Sequence, residues 1–543
     1  VQSGTIYYVY GQILESVGAY EQAADWYHKA AWAADSVGKA MTRIAMLDVR
    51  AGHCDDAVRH AETALDYGRT NNLAAAVQAL AIQLRGDSAD DLLQSLLRRD
   101  PLDHFARFLS DAPDFYDRME SNAAQTCLDL AADLDTMGQP DTIVRLLDGL
   151  VAAKPSCAIQ MIHYARGYYR AQTGGCPDRD WAAARAADIG PAFPIRPIEQ
   201  RILESVTAQT DDPGARLLLG CLYYHTHRYA AAAGLWAQND DWISVRNLAV
   251  AQFSHLHQPD EARALMARAV ALRPDSEQLV YETAVLMDKC GVVPAEKIAF
   301  LTAHSLTRDD SLIELAKAYN QADQPNDALR TLLGHTFVAC EGGEHAIADQ
   351  YMFAHLTLGR RALADGRPAD ALDSFRAAQV LPQSLGAGLW NRCKLVPARF
   401  CEATALEQLG RTAEAQQIFR DIADIEIEYF SNMNLKELPY FQAYALCHLG
   451  EPLEAQKRMT KYAREWAQIA DGTDNGYFAT TPFFLSFVDD PSVLRKAQSD
   501  YLTALSADFM GDPTSAAARI AAACTGNSDN LLALSFRREG FLR

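Results

Sequence analysis

The stretch YYVYGQILESVGAYEQAADWYHKA, residues 7–30, decides the fold, because it returns 34 positions later as MTRIAMLDVRAGHCDDAVRHAETA, residues 41–64. The two copies match at Gly11 and Ala45, Gly18 and Gly52, Ala23 and Ala57, Tyr27 and Ala61, and Ala30 and Ala64. A period of this length is typical of helical-hairpin repeats. Small residues let two antiparallel helices approach closely, a glycine ends the first helix, and an aromatic ring fills the groove between neighbours.

This pattern resembles the tetratricopeptide repeat (TPR). Similar units follow further along the chain, and the clearest one runs from Leu358 to Pro382. Because no segment alternates apolar and polar residues over a useful length, no strand is expected. We predict an all-α fold, a right-handed α-solenoid of TPR-like helical hairpins with irregular loop insertions.

Breaks in the repeat divide the chain into four expected segments. Residues 1–105 hold N-terminal TPR-like repeats, 106–200 divergent helical repeats with a Gly/Pro-rich loop, 201–345 further repeats ending in a Glu-Gly-Gly-Glu loop, and 346–543 C-terminal repeats and a helical cap. Dense glycine and proline at 174–197 predict an excursion from the solenoid, a loop laid over one face. Since the first repeat begins almost at Val1, we expect a segment to precede it.

Charge and cysteine content restrict the partners and the compartment. The formal net charge is −20, which would repel phosphate backbones, so no nucleic-acid partner is expected. The negative charge fits solubility better than a cationic partner. The chain's eleven cysteines form no C-x-x-C pair, which indicates a reducing, cytoplasmic compartment. No apolar run is long enough to cross a bilayer, and no membrane partner is expected.

The most suggestive local sequence is Glu341-Gly342-Gly343-Glu344-His345. Glycines between two carboxylates permit unusual backbone angles, so Glu341 and Glu344 could turn into one cavity as acid/base groups or sugar ligands. The alternative places Glu344 at the start of the next helix and Glu341 in solvent. His345 and Trp390, which follows a second glycine-rich loop at 384–388, are candidate ligand-binding residues on the same face.

Two arginine-containing segments are further candidates for ligand binding. Phe193 and Arg196 lie in the Gly/Pro-rich loop, where an arginine beside an aromatic residue suggests recognition. Arg246 and Asn247, near the head of a helix, could bind a hydroxyl group or only cap the helix and form ion pairs.

Two histidine pairs, His225/His227 and His255/His257, fall in consecutive turns. They suggest a metal site, but solvent-exposed turn histidines are the more common case. We therefore predict no metal and no cofactor.

Several stretches together resemble the helical C-terminal region of a family of large bacterial proteins with an N-terminal mutarotase-like β-sandwich domain of unknown function. They are Asp100–Phe108, Phe193–Arg196, Arg246–Ala249, Arg308–Asp310, and Glu341–Glu344 followed by Tyr351. The resemblance implies a cytoplasmic protein with a role in carbohydrate metabolism. Where the family has a glycine after Glu-Gly-Gly-Glu this chain has His345, and where it has a second loop carboxylate this chain has Ala387.

Two functions are consistent with these observations. The first is a TPR-type scaffold whose concave groove binds a partner protein or an N-terminal β-sandwich domain. The second is the helical part of a carbohydrate-active, glycoside-processing enzyme, in which loops 188–199, 337–345 and 384–390 close a saccharide pocket. Catalytic signatures such as a P-loop or a G-x-S-x-G motif are absent from the sequence, so whether the chain is an enzyme stays open.

Overall fold

The computed structural model describes residues 3–339, 344–388, 392–426, 436–467, 487–488 and 490–542; of residues 344, 345, 392 and 393 it describes the backbone alone. The chain forms two compact units, residues 1–240 and residues 241–543. The described part of both units contains α-helices and short 3₁₀ turns and no β-strand, which confirms the all-α prediction.

The helices of the first unit are α1 Thr5–Ser16, α2 Tyr20–Ala30, α3 Val37–Ala51, α4 Cys54–Tyr67, α5 Asn72–Leu84, α6 Asp90–Arg99, α7 His104–Leu109, α8 Ala123–Thr136, α9 Pro140–Ala153, α10 Gln160–Gln172, α11 Asp178–Ala186, α12 Pro197–Gln209, α13 Pro213–His225 and α14 Tyr229–Trp236. Short 3₁₀ segments lie at Asp117–Asn122, where Glu120 interrupts the helical conformation, and at Pro155–Cys157.

The helices of the second unit are α15 Trp242–Ser254, α16 Pro259–Leu272, α17 Glu277–Lys289, α18 Pro294–Thr302, α19 Asp309–Gln321, α20 Pro325–Leu333, α21 Glu344–Ala364, α22 Pro368–Ala377, α23 Val396–Gln408, α24 Thr412–Ala423, α25 Leu438–His448, α26 Pro452–Ala467, α27 Pro491–Phe509, α28 Pro513–Gly526 and α29 Leu531–Glu539. Its 3₁₀ turns lie at Gln383–Leu385 and Arg392–Leu395. No described helix has the length and apolarity that crossing a membrane requires.

Consecutive helices pack in pairs, as the period predicts: α1 with α2, α3 with α4, α13 with α14, and α21 with α22. The turn inside the first three hairpins depends on a glycine at the same register position. Gly18, Gly52 and Gly86, each 34 residues from the next, have φ values of 80°, 77° and 88°. Only glycine adopts this left-handed conformation without steric cost, so the recurring glycine ends the first helix of each hairpin.

Close helix approach within a hairpin depends on a second small residue, opposite an aromatic ring. A β-carbon at Gly11, Gly220 or Gly359 would overlap the ring of Tyr27, Trp236 or Phe375, respectively. All three rings are buried. The predicted pairing of a small residue with an aromatic residue therefore sets the interhelical distance in both units.

Replacing Gly359 with alanine should destabilise the α21–α22 hairpin. The new methyl group would overlap the Phe375 ring, and overpacking of this kind costs about 1–3 kcal/mol, more than the ~1 kcal/mol gained in helix propensity. Amide exchange in α21 and α22 should therefore become faster. Gly234→Ala is the matched control, because no atom lies within 4 Å of its added methyl group; it should slow exchange in α14. Slower exchange in the Gly359 variant would contradict this account of the packing.

The predicted excursion at 174–197 is wrong for most of its length. The glycines at 174 and 175 form only a turn, after which α11 packs on α10 as an ordinary second helix. Trp181 of α11 is buried against Gly167. The glycines and prolines of this stretch lie in the two connections on either side of the short helix α11. Of these, only the second, residues 187–196, is a longer irregular segment.

In the second unit the first helices of successive hairpins form a row, in which α17 contacts α19, α19 contacts α21, α21 contacts α23 and α23 contacts α25. The last helix, α29, folds back onto α21. Its Phe536 is buried against Tyr440 and Phe441 of α25. The row is therefore covered in part by the end of the same chain.

Candidate functional site

Arg196 is engaged by carboxylates of the first unit. Its guanidinium donates to Oε1 of Glu199 at 2.9 Å and forms an ion pair with Asp129. The Glu199 carboxylate also accepts the backbone N–H groups of Ile195 and Arg196 at 2.6 and 2.7 Å, which satisfies donors at the start of α12. Phe193 is largely exposed in the same segment. Arg196 thus anchors the loop to α8 and α12, and its role in ligand binding stays a prediction.

Arg246 forms a bidentate ion pair. Its Nε and Nη2 atoms donate to the two carboxylate oxygens of Glu282, at 2.8 and 2.5 Å, and Nη1 donates to Oδ1 of Asn247 at 3.0 Å. Glu282 is buried. Ion pairing, one of the two alternatives for Arg246 and Asn247, is therefore present and links α15 to α17.

The two glycine-rich loops of the second unit meet, at least in their described parts. The backbone N–H of Phe337 donates to the carbonyl oxygen of Ser384 at 2.8 Å. Leu385 is fully buried in a cluster that includes Phe337, Ile347 and Tyr351. Glu341 and Trp390 lie outside the described residues. Glu344 is the first residue of α21 and His345 the second, and only their backbone is described.

The turn histidines do not form a metal cluster in the part of the chain that the structure describes, where no group of three potential ligands converges. His227 has a positive φ of 61°, and its Nδ1 lies 2.6 Å from the Tyr229 hydroxyl oxygen. His257 has a φ of 54°. These histidines thus hold turn positions that glycine takes elsewhere in the chain.

A cavity of about 1580 Å³ lies in the second unit. The ends of α15, α17 and α19 form one wall, and α27, the end of α28 and α29 form the other. Its lining includes Asp288, Val293, Val488, Asp490, Val493, Leu494, Cys524, Asp529, Arg537 and Arg538, together with His255, His257, Lys289 and Cys290. We refer to it as the α17–α29 cavity.

Arg538 positions the wall formed by α29. Its guanidinium donates to the carbonyl oxygens of Asn320, at 2.8 Å, and of Gln321. These carbonyls belong to the last turn of α19, where an α-helix leaves acceptors without intrahelical partners. The next helix of the row, α21, also holds this wall. Its Arg360 guanidinium donates to the Ser535 hydroxyl at 2.8 Å and to the Gly540 carbonyl oxygen.

A buried charge cluster lies behind the α17 wall. The ammonium group of Lys297, which is fully buried, lies 2.5 Å from carboxylate oxygens of Asp288 and of Glu314. Lys317 lies 2.8 Å from Asp288, 2.9 Å from Glu314 and 3.3 Å from Asp529. The cluster joins α17, α18 and α19, and through Asp529 it holds the loop before α29.

The protonation states in this cluster follow from its contacts. Burial raises the pKa of Glu314, but the ammonium groups of Lys297 and Lys317 outweigh it and lower the pKa to about 2. Burial lowers the pKa of Lys317, yet Glu314, Asp529 and Asp288 raise it well above its usual value. Glu314 and Lys317 are therefore charged at neutral pH. Asp288 and Asp529 are already paired with lysines.

Exposed aliphatic side chains border the cavity. Val293 is 54% exposed, Val488 and Val493 are each 48% exposed, and Leu494 is 38% exposed. Exposed apolar side chains gathered at one concavity are a common mark of a protein contact site. Asp490 caps α27, because its carboxylate accepts the Ser492 backbone N–H at 2.8 Å.

Arg537 lines the cavity from α29. It is exposed, and it interacts with the Cys524 thiol, but it has no carboxylate partner among the described residues. The carboxylates at the cavity are used by Lys297, Lys317 and the start of α27, so the charge left for a ligand at Arg537 is positive.

Sequence analysis did not identify this cavity. Its walls come from turns near 255 and 290 and from helices near 490–538, which no motif connects. One available signal was the pair Arg537-Arg538 in a short terminal helix of an otherwise acidic chain.

No family model matches the chain. Among similar solved structures, the P58(IPK) TPR domain is 13% identical, with 77% of this chain and 97% of that chain covered and a TM-score of 0.20. The human IFIT1 dimer with m7Gppp-AAAA is 13% identical, with 90% of each chain covered and a TM-score of 0.26. Yeast Tom70 is 11% identical, with 85% and 91% covered and a TM-score of 0.18. At TM-scores this low the likeness carries no argument, and the hairpin fold rests on the helix pairs themselves.

Proposed function

We propose that the protein is a helical-repeat scaffold and that its second unit binds an acidic segment of a partner protein in the α17–α29 cavity. One observation carries the proposal: the cavity combines exposed aliphatic side chains with an arginine, Arg537, that has no described carboxylate partner. At about 1580 Å³ the cavity exceeds the ~300–1,000 Å³ of small-molecule sites. A peptide segment fits that size better than a single metabolite.

The chemistry of the cavity selects the kind of segment. Its carboxylates Asp288, Asp490 and Asp529 accept hydrogen bonds or pair with lysines inside the protein. Arg537 supplies donors to an incoming carboxylate, and a charge-assisted bidentate bond is the strongest contact available there. Val293, Val488, Val493 and Leu494 supply apolar surface. The expected ligand therefore carries Asp or Glu next to aliphatic residues.

The α17–α29 cavity is a different site from the concave groove that is expected of a TPR-type scaffold. The row of α19, α21 and α25 is covered in part by α29, whose Phe536 and Arg538 occupy contacts there. A partner that used this part of the row would have to displace α29 first. The cavity beside α29 needs no such rearrangement, and it is therefore the site that we propose.

Charge reversal at Arg537 tests the proposal. A random heptapeptide library is selected on the immobilised full chain, and the enriched peptides are titrated against the purified protein by fluorescence anisotropy. We expect enrichment of acidic–aliphatic peptides and a loss of about 10–100-fold in affinity for Arg537→Glu, since a hydrogen bond to a charged group contributes about 1.5–3 kcal/mol.

Arg330→Glu is the matched control, because it makes the same charge change at an exposed arginine of the same unit that does not line the cavity. It should bind the peptides like the parent chain. Equal losses in both variants would indicate a nonspecific charge effect, and enrichment of basic or purely polar peptides would rule out the proposed ligand chemistry.

The carbohydrate-active alternative is supported among the described residues only by the contact between its two glycine-rich loops, at Phe337 and Ser384. Arg196 and Arg246 are held by carboxylates of the protein, and Glu341 and Trp390 are not described. Binding of a saccharide or of a β-sandwich domain stays a prediction from the sequence resemblance, so no second function is proposed.

A further inference from the structure

The first helix of the array carries an exposed apolar face. Of its residues, Tyr10 packs edge-on against Trp26 of α2, with the ring centres 4.7 Å apart. Ile6 is 80% exposed, Ile13 is 54% exposed and Val17 is 74% exposed, and Val9 and Tyr10 are also exposed. These positions follow the spacing of one side of an α-helix. The other side of α1 is used normally, because Gly11 is buried against the Tyr27 ring of α2.

The 34-residue register shows what this face corresponds to elsewhere in the chain. Ile6, Tyr10 and Ile13 of α1 take the positions that Ala40, Ile44 and Leu47 take in α3. In α3 all three residues are buried, in one cluster with Ala23, Tyr27 and Ala30 of the preceding helix, α2. In the third copy of the repeat, Ala74 and Ala81 take the positions of Ala40 and Leu47 and are also buried. They belong to α5, which contacts α4.

The α1 face therefore continues a series of interfaces between hairpins. In each later hairpin of this series, the first helix is covered by the second helix of the hairpin before it: α2 covers α3, and α4 covers α5. Large apolar side chains occupy the exposed α1 positions, whereas an exposed helix face is normally polar. The α1 residues are therefore apolar like the residues that are buried at the same positions in α3.

We propose that the Ile6–Tyr10–Ile13 face docks the second helix of a further helical hairpin, positioned as the preceding member of the array. The chemistry of that helix is the chemistry of α2, with alanines and one aromatic ring spaced like Ala23, Tyr27 and Ala30 on one side. This contact is independent of the α17–α29 cavity, which belongs to the other unit.

The experiment supplies the helix and measures whether it docks. A copy of residues 19–36, which contains α2 and the turn that leads to α3, is fused ahead of Ser3 in place of Val1 and Gln2. Ser3 then stands where Val37 stands in the parent array. We expect amide exchange in α1 to slow by at least ~10-fold relative to the parent chain, because docking removes local opening of the terminal helix.

Two variants of the fused chain make the result specific. Ile6→Glu together with Ile13→Glu should abolish the slowing, because the fused helix would have to bury two carboxylates. Both residues are exposed in the parent chain, so the same pair should leave the parent's helix content unchanged. Leu84→Glu, at an exposed leucine at the end of α5, is the matched control and should keep the slowing.

Three outcomes would overturn the proposal. The first is unchanged exchange in α1 of the fused chain, and the second is slowing that persists in the Ile6→Glu/Ile13→Glu variant. The third is a dimer of the unfused chain in sedimentation that Ile13→Glu dissociates, because the occupant would then be a second copy of this chain.

Discussion

Replacing Lys297 with methionine should destabilise the second unit by about 3–5 kcal/mol, because removing one partner of a buried ion pair leaves charge uncompensated in a low-dielectric interior. The Lys297 ammonium is fully buried between Asp288 and Glu314. Without it, two carboxylates share the single remaining ammonium group of Lys317. Native-state hydrogen exchange in α17–α19 should become about 10²–10⁴-fold faster.

The double variant Lys297→Met/Glu314→Leu should be less destabilised than the single variant, because it removes one carboxylate together with one ammonium group and so restores the net charge of the parent cluster. Lys457→Met, at an exposed lysine of the same unit, should change stability by less than about 0.5 kcal/mol. An equal or larger loss in the double variant would contradict the account of the cluster.

The pH dependence provides a check on the same prediction. The pKa of Glu314 is lowered from 4.5 to about 2 in the folded protein. The stability that this carboxylate contributes is therefore complete above its unfolded pKa and is lost as the pH falls from 4.5 toward 2. The difference between the parent chain and Lys297→Met should shrink over that interval, because protonation removes the uncompensated charge.

Replacing Phe536 with alanine should release α29 from the row formed by the first helices of the hairpins in the second unit. The ring is buried against Tyr440 and Phe441, and the Arg360 guanidinium lies 5.6 Å from its centre. A Phe→Ala change at such a site costs about 3–5 kcal/mol. We expect fast amide exchange in α29, and we expect proteolytic cleavage between 527 and 542 at concentrations that leave the parent chain intact.

Leu453→Ala serves as the control, because this leucine is 83% exposed and its truncation removes no packing. Protection of α29 that survives in Phe536→Ala would mean that Arg538 and Arg360 hold the helix without the aromatic anchor. In that case the ring contacts would not be what covers the row.

The hairpins could be predicted from the sequence because each depends on local contacts. Gly18, Gly52 and Gly86 recur at the spacing of the fold, and their positive φ angles favour glycine. The small-to-aromatic pairing of Gly11 with Tyr27 joins residues only 16 positions apart. Such contacts leave a periodic signal in the sequence.

The α17–α29 cavity leaves no such signal, because its contacts join distant parts of the chain. Arg538 donates to carbonyl oxygens 217 and 218 positions earlier, and the Val488 backbone N–H donates to the Ser254 hydroxyl across 234 positions.

The glycine and proline content was an ambiguous signal. At 174–177 these residues form an ordinary hairpin turn, although the same composition predicts a long loop. Arg196 and Arg246 are ligand-binding candidates from the sequence, and in the structure each forms an ion pair with a carboxylate of its own unit.

The central claim is that a partner segment binds between α17 and α29. Hydrogen exchange of the full chain, with and without a saturating acidic–aliphatic peptide from the selection, tests it most directly. The account predicts protection in residues 287–294 and 524–538, lost in Arg537→Glu and retained in Arg330→Glu. Protection confined to other parts of the chain, or the same protection in Arg537→Glu, would contradict it.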